Sequence, residues 1–470
     1  MTAGAIAAPV GDRPPTGEAL LRLAAIGAVD DGKSTLIGRL LHDAGQFTDD
    51  QLAALERASR DRGQSSLNLS FATDGLRAER ERGITIDVAY RYAVTPRLKL
   101  VIADCPGHLE YTGNMATGAS TADLALVLVD VTKGLREQTL RHTALALLFG
   151  VPQLLVAVNK MDLVGWEEPG YRGLVEQMRE LAQRLGGAEV QAVPISALHG
   201  DNVVERSRRA DWYQGPTVLE ALELAPTSTF AAQQRKGARL PVQSVTRHSD
   251  GSVRVAGMLT GGGLHTGEAV VVLPQRHHTT VSRVETLSAV VPSARAPLSI
   301  SVVLADSPDL RRGDLIAAAA DPPPVSRDQL TTVCWFAARH LEVGQTFLVK
   351  HTTRVTEAEV MEVMSKLDLA TLQLVPAGEL GPNDIGVVRW RLAEAIAADP
   401  YHESRVTGSL IVIDAETHVT VGAVMVGTPQ LARRGATLAE NHQLPLRWPC
   451  SQSQPPSSTS PGGLHSPGLT

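Results

Sequence analysis

The sequence has little of several features that would assign it to a particular class of protein. Its three cysteines, Cys105, Cys334 and Cys450, are too scattered for a CxxC metal site or a disulfide framework. Aromatic residues make up 4% of the chain, which argues against a stacking surface for single-stranded nucleic acid. Apolar runs such as Leu124 to Val129 fall far short of the ~20 residues that cross a bilayer. We therefore expect no membrane span.

Positive charge is also not in excess. The 44 Lys and Arg residues against 50 Asp and Glu residues give a net charge of −6, which disfavours nucleic acid as a partner. In the N-terminal stretch from Met1 to Gly17, the early charges Asp12 and Arg13 follow the apolar part, whereas a secretory signal has the opposite order. Together with the few cysteines, this pattern predicts a cytoplasmic protein.

The 470 residues exceed one ordinary core, and ~150 residues per domain predicts about three domains. From Leu21 to about Leu224, apolar runs alternate with helical patterns, which is typical of a mostly parallel sheet. We predict strands at 21–26, 98–103, 124–130, 154–159 and 191–195. This part of the chain is therefore predicted to be an α/β domain covering 21–226, after a flexible N-terminus at 1–20.

After Pro226 the pattern changes to short Val-rich alternating runs separated by turn clusters. VRVAGML, EAVVVLP and LSISVVLAD indicate a β-barrel at 238–320. VCWFAA, TFLVKH, IGVVRWRL, SLIVID and VTVGAVMV indicate a second barrel at 327–428. The remaining tail, 429–470, is Ser/Pro-rich and is expected to be disordered from about residue 450.

A phosphate-binding loop follows the first predicted strand. GxxxxGKS stands between that strand and a helical run, which is the context that a P-loop requires. Its residues, with the threonine that follows, are Gly27, Ala28, Val29, Asp30, Asp31, Gly32, Lys33, Ser34 and Thr35. Lys33 is expected to neutralise the β- and γ-phosphates and Ser34 to ligate Mg²⁺, while backbone N–H groups at the helix N-terminus wrap the phosphates.

A second loop, Asp104-Cys105-Pro106-Gly107, ends the next predicted strand. Asp104 would emerge at the carboxyl edge of the sheet, where it can hold Mg²⁺ through water, and the Gly107 N–H can approach the γ-phosphate. Taken alone, DxPG is equally consistent with a simple turn.

Two further loops are predicted to recognise the nucleotide base. Asn159-Lys160-Met161-Asp162 closes a strand, and a carboxylate at Asp162 can accept two hydrogen bonds from the N1 and N2 edge of guanine, a pair that adenine lacks. Ser196-Ala197-Leu198 follows the next strand, where a backbone N–H can meet guanine O6. Each piece alone could be a turn. Because all four occur in order after predicted strands, the sequence predicts GTP with Mg²⁺ as the cofactors.

A switch segment is predicted between the first two loops. In Arg82-Gly83-Ile84-Thr85-Ile86-Asp87, Thr85 could place its hydroxyl on Mg²⁺ and its N–H on the γ-phosphate, contacts that exist only with the triphosphate. The alternative for ITIDVAY is an edge strand, at least in its second half. His108, directly after DCPG, is expected to position the attacking water, since phosphoryl transfer depends on positioning and charge. The predicted catalytic residues are Lys33, Thr85 and His108.

These strings also resemble a known family. GxVDxGKST, ERGITID, DCPGH and NKMD, followed by two barrels, look like the translation-factor class of GTPases. The fold expected is thus an α/β P-loop GTPase domain followed by two β-barrel domains. The resemblance further implies that Asp30 contacts a monovalent cation.

More specific strings resemble the GTP-binding large subunit of bacterial sulfate adenylyltransferase. They are VDDGKSTLIGRLLHD, GITIDVAYRY, NMATGAS, WYQGPTVLE and RVTGSLIVID. The resemblance implies a GTP hydrolase that acts within a nucleotidyltransferase. A separate small subunit would bind ATP and sulfate and make adenylyl sulfate and pyrophosphate, an uphill reaction to which GTP hydrolysis is coupled. Some relatives carry a fused kinase with its own P-loop, and no second GxxxxGK[ST] occurs here.

The sequence also allows an alternative function. The same GTPase core would suit a translation factor that carries RNA or a release factor to the ribosome. The net charge of −6 and the lack of a dense Lys/Arg run in the barrel segments argue against it, because phosphate contacts need local positive charge.

Overall fold

The computed structural model describes residues 19–61, 67–72, 87–108, 111–225, 237–247, 252–306 and 309–427. The predicted Ser/Pro-rich tail at 429–470, and all but residues 19 and 20 of the predicted N-terminal segment, lie outside this part of the chain.

The first domain is built on a six-stranded sheet with the order β2-β3-β1-β4-β5-β6. All strands are parallel except β2, which pairs antiparallel with β3 at the edge. The strands are β1 (Leu20–Ile26), β2 (Ala89–Val94), β3 (Lys99–Asp104), β4 (Leu124–Asp130), β5 (Gln153–Asn159) and β6 (Glu189–Pro194). The five predicted strands are confirmed, and the second half of ITIDVAY does lead into an edge strand.

Helices cover both faces of this sheet. They are α1 (Lys33–Asp43), α2 (Asp49–Asp61), α3 (Thr112–Ser120), α4 (Glu137–Leu148), α5 (Glu168–Arg184) and α6 (Val218–Leu224), with 3₁₀ turns at Leu69–Ala72 and Met161–Val164. The start of α6 is fixed by a capping box in which Thr217 Oγ1 accepts from Glu220 N at 3.2 Å and Glu220 Oε2 accepts from Thr217 N at 2.9 Å. Within the described residues, every helix is too short or too polar to span a membrane.

The middle of the chain forms a closed six-stranded barrel, because the ladder β11-β16-β7-β9-β15-β12 returns to β11. Its strands, with the short ones at its rim, are β7 (Ala238–Pro241), β8 (Ser244–Arg247), β9 (Val253–Gly261), β10 (Gly263–His265), β11 (Ala269–Leu273), β12 (His277–Glu285), β13 (Val290–Val291), β14 (Ser293–Arg295), β15 (Leu298–Leu304) and β16 (Leu315–Ala318).

A second barrel closes in the same way through β19-β24-β25-β17-β23-β20 and back to β19. Its strands are β17 (Val325–Trp335), β18 (Leu341–Glu342), β19 (Thr346–His351), β20 (Arg354–Asp368), β21 (Gln373–Pro376), β22 (Glu379–Leu380), β23 (Ile385–Ala397), β24 (Ser409–Ile413) and β25 (Thr420–Val426). The predicted fold class, an α/β domain followed by two barrels, is confirmed. The domain boundaries drawn from the sequence stay a prediction.

Two buried ion pairs join the barrels to each other. Arg239 of the first barrel meets Asp399 of the second, with Nε–Oδ2 and Nη2–Oδ1 distances of 3.1 Å and both side chains 1% exposed. The second pair has the arginine on the other barrel: Arg354 Nη2 of the second barrel lies 2.7 Å from Asp314 Oδ1 of the first. Each charge is removed from water but paired, so the barrels form one unit.

The second barrel also packs on the α/β domain. Tyr401 Oη donates to the Phe149 carbonyl at 3.0 Å, and Arg405 Nη1 donates to the Ala122 carbonyl at 3.0 Å. Buried residues of this barrel, among them Met425, join the apolar core beneath the sheet. The contacted segments lie at the C-terminal ends of α3 and α4.

Candidate nucleotide site

The four predicted loops meet at one edge of the sheet. They follow β1, β3, β5 and β6, and the carboxyl ends of these parallel strands point the same way. In doubly wound sheets this edge is where ligands bind, next to the helix that begins after the first strand.

The loop after β1 has the backbone that a phosphate cradle needs. Asp30 and Gly32 have positive φ angles of 67° and 98°, and α1 begins immediately afterwards at Lys33. A Cβ on Gly32 would lie 2.4 Å from Asn159 Nδ2, so any side chain at this position would displace the neighbouring loop. Gly27, Ala28 and Val29 precede this turn, and Ser34 and Thr35 lie half-buried in the first turn of α1.

Lys33 is the buried cation of this loop. Its Nζ donates to the carbonyls of Gly27 and Ala28, each at 3.0 Å. Burial lowers the pKa of Lys33, and the negative charges of Asp104 and Asp31 oppose that shift. A buried lysine in a loop that leads into a helix N-terminus is suited to neutralise a bound phosphate.

The side chain of Asp31 faces into the protein. Its Oδ2 accepts from Ala28 N at 2.9 Å, and its Oδ1 accepts from Arg136 Nη2 at 2.5 Å. Arg136 Nη2 also donates to the Val29 carbonyl. Arg136 was not predicted from the sequence. The signal for it was a charged residue just before α4, which is visible only once α4 is known to start beside the P-loop.

The loop after β3 closes over the P-loop. Asp104 and Cys105 are buried at the strand end, and Pro106 is buried behind them. A Cβ on Gly107 would lie 2.6 Å from Lys33 Nζ and 3.0 Å from the Gly27 carbonyl, so glycine permits this close approach. Burial raises the pKa of the Cys105 thiol, which keeps it protonated.

His108 lies half-buried after Gly107, with its ring centroid 5.9 Å from that of Tyr111. Thr85, the predicted switch and metal-ligand residue, lies outside the described residues, as do residues 109 and 110. The structure therefore brings together the phosphate loops but does not bear on the switch threonine.

Asn159 joins three loops. Its Nδ2 donates to the Asp31 carbonyl at 2.8 Å, and its Oδ1 accepts from Ala197 N at 2.9 Å. Lys160, in the left-handed conformation with φ 65°, donates from Nζ to the Asp30 carbonyl at 2.9 Å and to Asp130 at 2.8 Å. Burial acts to raise the pKa of Asp130, but the bonds from Lys160 and Thr132 outweigh it and the pKa is lowered.

Asp162 lies at the start of the 3₁₀ turn, after buried Met161, with 16% of its side chain exposed. His199 Nε2 is 3.8 Å from its Oδ2. The carboxylate therefore reaches the surface of the site on the side where the loop after β6 passes.

The loop after β6 is held by a residue of α1 that the sequence analysis also missed. Ser196 and Ala197 are buried and Leu198 is exposed. Arg39 Nη2 donates to the Leu198 carbonyl at 2.7 Å, and Arg39 Nε lies 3.4 Å from the Ala197 carbonyl. A charged residue inside the apolar run LIGRLL was the sequence signal for this role.

Comparison with known proteins agrees with this geometry. Residues 18–229 match the family described as Elongation factor Tu GTP binding domain, and residues 329–427 match the family GTP-eEF1A C-terminal domain-like. The fold and the four loops thus define a GTP-binding protein of the translation-factor GTPase class.

Individual relatives narrow the class. "Bifunctional enzyme CysN/CysC" of Mycobacterium tuberculosis (strain ATCC 25618 / H37Rv) is 45% identical over 416 residues, 87% of this chain and 67% of the relative. "Sulfate adenylyltransferase subunit 1" of Aeromonas salmonicida (strain A449) is 44% identical over 87% of each chain. The protein of that name from Salmonella paratyphi C (strain RKS4594) is 44% identical over 89% of this chain and 88% of its own length. The chain belongs to the sulfate adenylyltransferase subunit 1 family.

Proposed function

We propose that the chain is the GTP-hydrolysing subunit of a sulfate adenylyltransferase and that it acts with a separate small subunit. GTP hydrolysis would drive the transfer of an adenylyl group from ATP to sulfate on that partner, giving adenylyl sulfate and pyrophosphate. The observation that carries this proposal is the meeting of four loops, with Lys33, Asp104 and Asp162, at one sheet edge in a chain of this family.

In this function the P-loop binds the phosphates. Backbone N–H groups of residues 27–35 and the N-terminus of α1 would surround the β-phosphate, with Lys33 Nζ bridging to the γ-phosphate. The closeness of Gly107 to Lys33 supports a γ-phosphate contact from the Gly107 N–H, because the loop after β3 lies directly over the cradle.

Guanine recognition is assigned to the other two loops. Asp162 would accept hydrogen bonds from guanine N1 and N2, and the backbone of residues 196–198 would meet O6. Asn159 supports this assignment indirectly, because it fixes the loop after β6 relative to the P-loop. The proposed base site and phosphate site are thereby held at a fixed distance from each other.

Magnesium fits the donors present. Ser34 offers a hydroxyl at the start of α1, and Asp104 offers a buried carboxylate beside Lys33 at the end of β3. With Thr85 from the switch segment, they would hold the ion directly or through water, and the ion would neutralise charge on the β- and γ-phosphates.

Hydrolysis requires an ordered water rather than a strong base. His108 follows the loop over the γ-phosphate and would orient the attacking water, and Lys33 would stabilise the charge that develops on the phosphoryl oxygens. Release of Thr85 after hydrolysis would free the switch segment.

The second barrel offers a route for the signal. It contacts the end of α3, the helix that follows His108, through the bond from Arg405 to the Ala122 carbonyl, and the end of α4 through Tyr401. A shift of α3 on hydrolysis would therefore reach the second barrel and, through the Arg239–Asp399 pair, the first barrel. The free buried thiols of Cys105 and Cys334 fit a cytoplasmic location.

The experiment measures ATP-dependent adenylyl sulfate formation by the purified chain with a matching small subunit. We expect GTP to accelerate it and a non-hydrolysable GTP analogue to fail. Lys33→Ala should abolish the acceleration, while Arg172→Ala on the exposed face of α5 should preserve it. Equal rates with GTP and the analogue would refute the coupling.

A further inference from the structure

A buried carboxylate stands inside the loop that is proposed to bind a polyanion. Asp31 is 1% exposed, and its two oxygens are held by Ala28 N, Arg136 and, at 3.5 Å, Thr139 Oγ1. A negative charge at this depth repels phosphates unless it is neutralised, because Coulomb interactions are strong away from water. Burial raises the pKa of Asp31, and the hydrogen bond and charge of Arg136 oppose that rise, so an ionised carboxylate here depends on a neighbouring cation.

Arg136 is that cation. It precedes α4, its side chain is one third exposed, and its Nη2 contacts both Asp31 Oδ1 and the Val29 carbonyl. The guanidinium thus ties the side chain of one P-loop residue to the backbone of another, two positions earlier.

Helix stability does not explain this placement. Arg136 is the N-cap residue of α4, and its side chain makes no capping hydrogen bond. A positive charge at a helix N-terminus opposes the helix dipole, so the arginine gains nothing from α4 itself. Its favourable contacts are with the P-loop.

The other charges near Asp31 do not replace Arg136. Lys33 attracts Asp31, but its Nζ already bonds the carbonyls of Gly27 and Ala28 and lies close to Asp104. Lys160 is paired with Asp130 on the other side of the loop. If Arg136 lost its charge, Asp31 would be a buried carboxylate without its closest ion-pair partner.

We propose that Arg136 is a positioning residue of the phosphate site, which neutralises Asp31 and holds the Val29 carbonyl so that the P-loop can accept a nucleoside triphosphate. The inference deepens the proposed function and rests on the P-loop being the phosphate site. The loss on removing Arg136 grows with the charge of the nucleotide, so GTP suffers more than GDP.

The test compares Arg136→Gln, Asp31→Asn and the double variant. Each substitution replaces a charged group by a neutral side-chain amide. Affinities for a non-hydrolysable GTP analogue and for GDP are measured by titration of the full chain. We expect Arg136→Gln to weaken the GTP analogue by about tenfold or more and GDP by less, since an uncompensated buried charge is strongly unfavourable. The double variant should recover to within about threefold of the wild type. Asp31→Asn alone should bind the analogue at least as tightly as the wild type, because Arg136 is then left unopposed.

Arg184→Gln removes an arginine paired with Glu180 on the surface of α5 and is the matched control, with unchanged affinity expected. Arg136→Lys keeps the charge and should retain most of the affinity. Where Arg136→Gln does not fold, Asp31→Asn decides the question, since the inference requires it to bind the GTP analogue at least as tightly as the wild type does. The inference is overturned by wild-type affinity in Arg136→Gln, by equal losses for GTP analogue and GDP that the double variant does not restore, or by weaker binding in Asp31→Asn. Failure of the wild-type chain to bind GTP would instead refute the proposed function.

Discussion

Arg39 offers the sharpest test of how the guanine-binding loop is supported. In Arg39→Leu, the helical side chain keeps its apolar stem but loses the guanidinium that reaches the loop after β6. We expect weaker binding of guanine nucleotides with little change in the hydrolysis rate at saturating GTP, because Arg39 lies about 1.7 turns along α1 from Lys33.

The size of the expected loss in nucleotide affinity follows from the two hydrogen bonds that Arg39 makes to the loop after β6. The bond from Nη2 to the Leu198 carbonyl at 2.7 Å is short and charge-assisted, whereas the 3.4 Å contact from Nε to the Ala197 carbonyl adds little. A hydrogen bond to a charged group contributes about 1.5–3 kcal/mol. Asn159 still holds Ala197 N at 2.9 Å, so the loop keeps one attachment. We therefore expect a loss of about 1–2 kcal/mol of binding free energy, which is roughly 5- to 30-fold in Kd.

The assay is calorimetric titration with GDP and with inosine diphosphate, which keeps O6 but lacks the N2 amino group. Both should weaken by the same factor, since the loop is proposed to contact O6 and not N2. Arg39→Lys should be intermediate, and Arg172→Leu on α5 should have no effect. Unchanged affinity in Arg39→Leu, or a fall in kcat without a change in Kd, would refute this reasoning.

Three further predictions concern the catalytic histidine, the base site and the barrel junction. His108→Ala should slow GTP hydrolysis by roughly 10²-fold with GTP affinity unchanged, as measured by single-turnover kinetics and titration, and an equal fall in both would mean a binding or folding role. Asp162→Asn should shift the preference from guanosine to xanthosine nucleotides, because one acceptor becomes a donor; undiminished GTP affinity would remove Asp162 from the base site. Asp399→Ala should lower the free energy of unfolding, measured by urea denaturation, by about 3–5 kcal/mol, because it leaves Arg239 buried without its main partner. The control is Asp328→Ala, whose pair with Arg391 is exposed, and which should change stability by less than about 1 kcal/mol. Equal effects of these two substitutions would contradict the importance of burial.

Most strands of the α/β domain were predictable because they contain apolar runs bounded by a motif. β4 (Leu124–Asp130), for example, is buried along its whole length, as a central parallel strand should be. The strand β20 (Arg354–Asp368) was missed. Its sequence, RVTEAEVMEVMSKLD, contains three Glu and two Met, which favour helices, yet most of its residues alternate between buried and exposed positions within the barrel. Burial of one face in the tertiary structure overrode local propensity there.

The sequence by itself was enough to predict the nucleotide site, from the order and spacing of its four motifs. Glycines, a lysine and carboxylates at strand ends predict a GTP site because only certain residue types can bind phosphate or guanine, and these strings also carry the family resemblance. The supports of the site were decided by the tertiary structure. Arg136 lies 105 positions from Asp31, and Arg39 lies 158 positions from Ala197. Such pairs meet only in the folded sheet, where the carboxyl ends of β1, β4 and β6 lie on the same side. The sequence by itself shows their charges but not which atoms those charges neutralise.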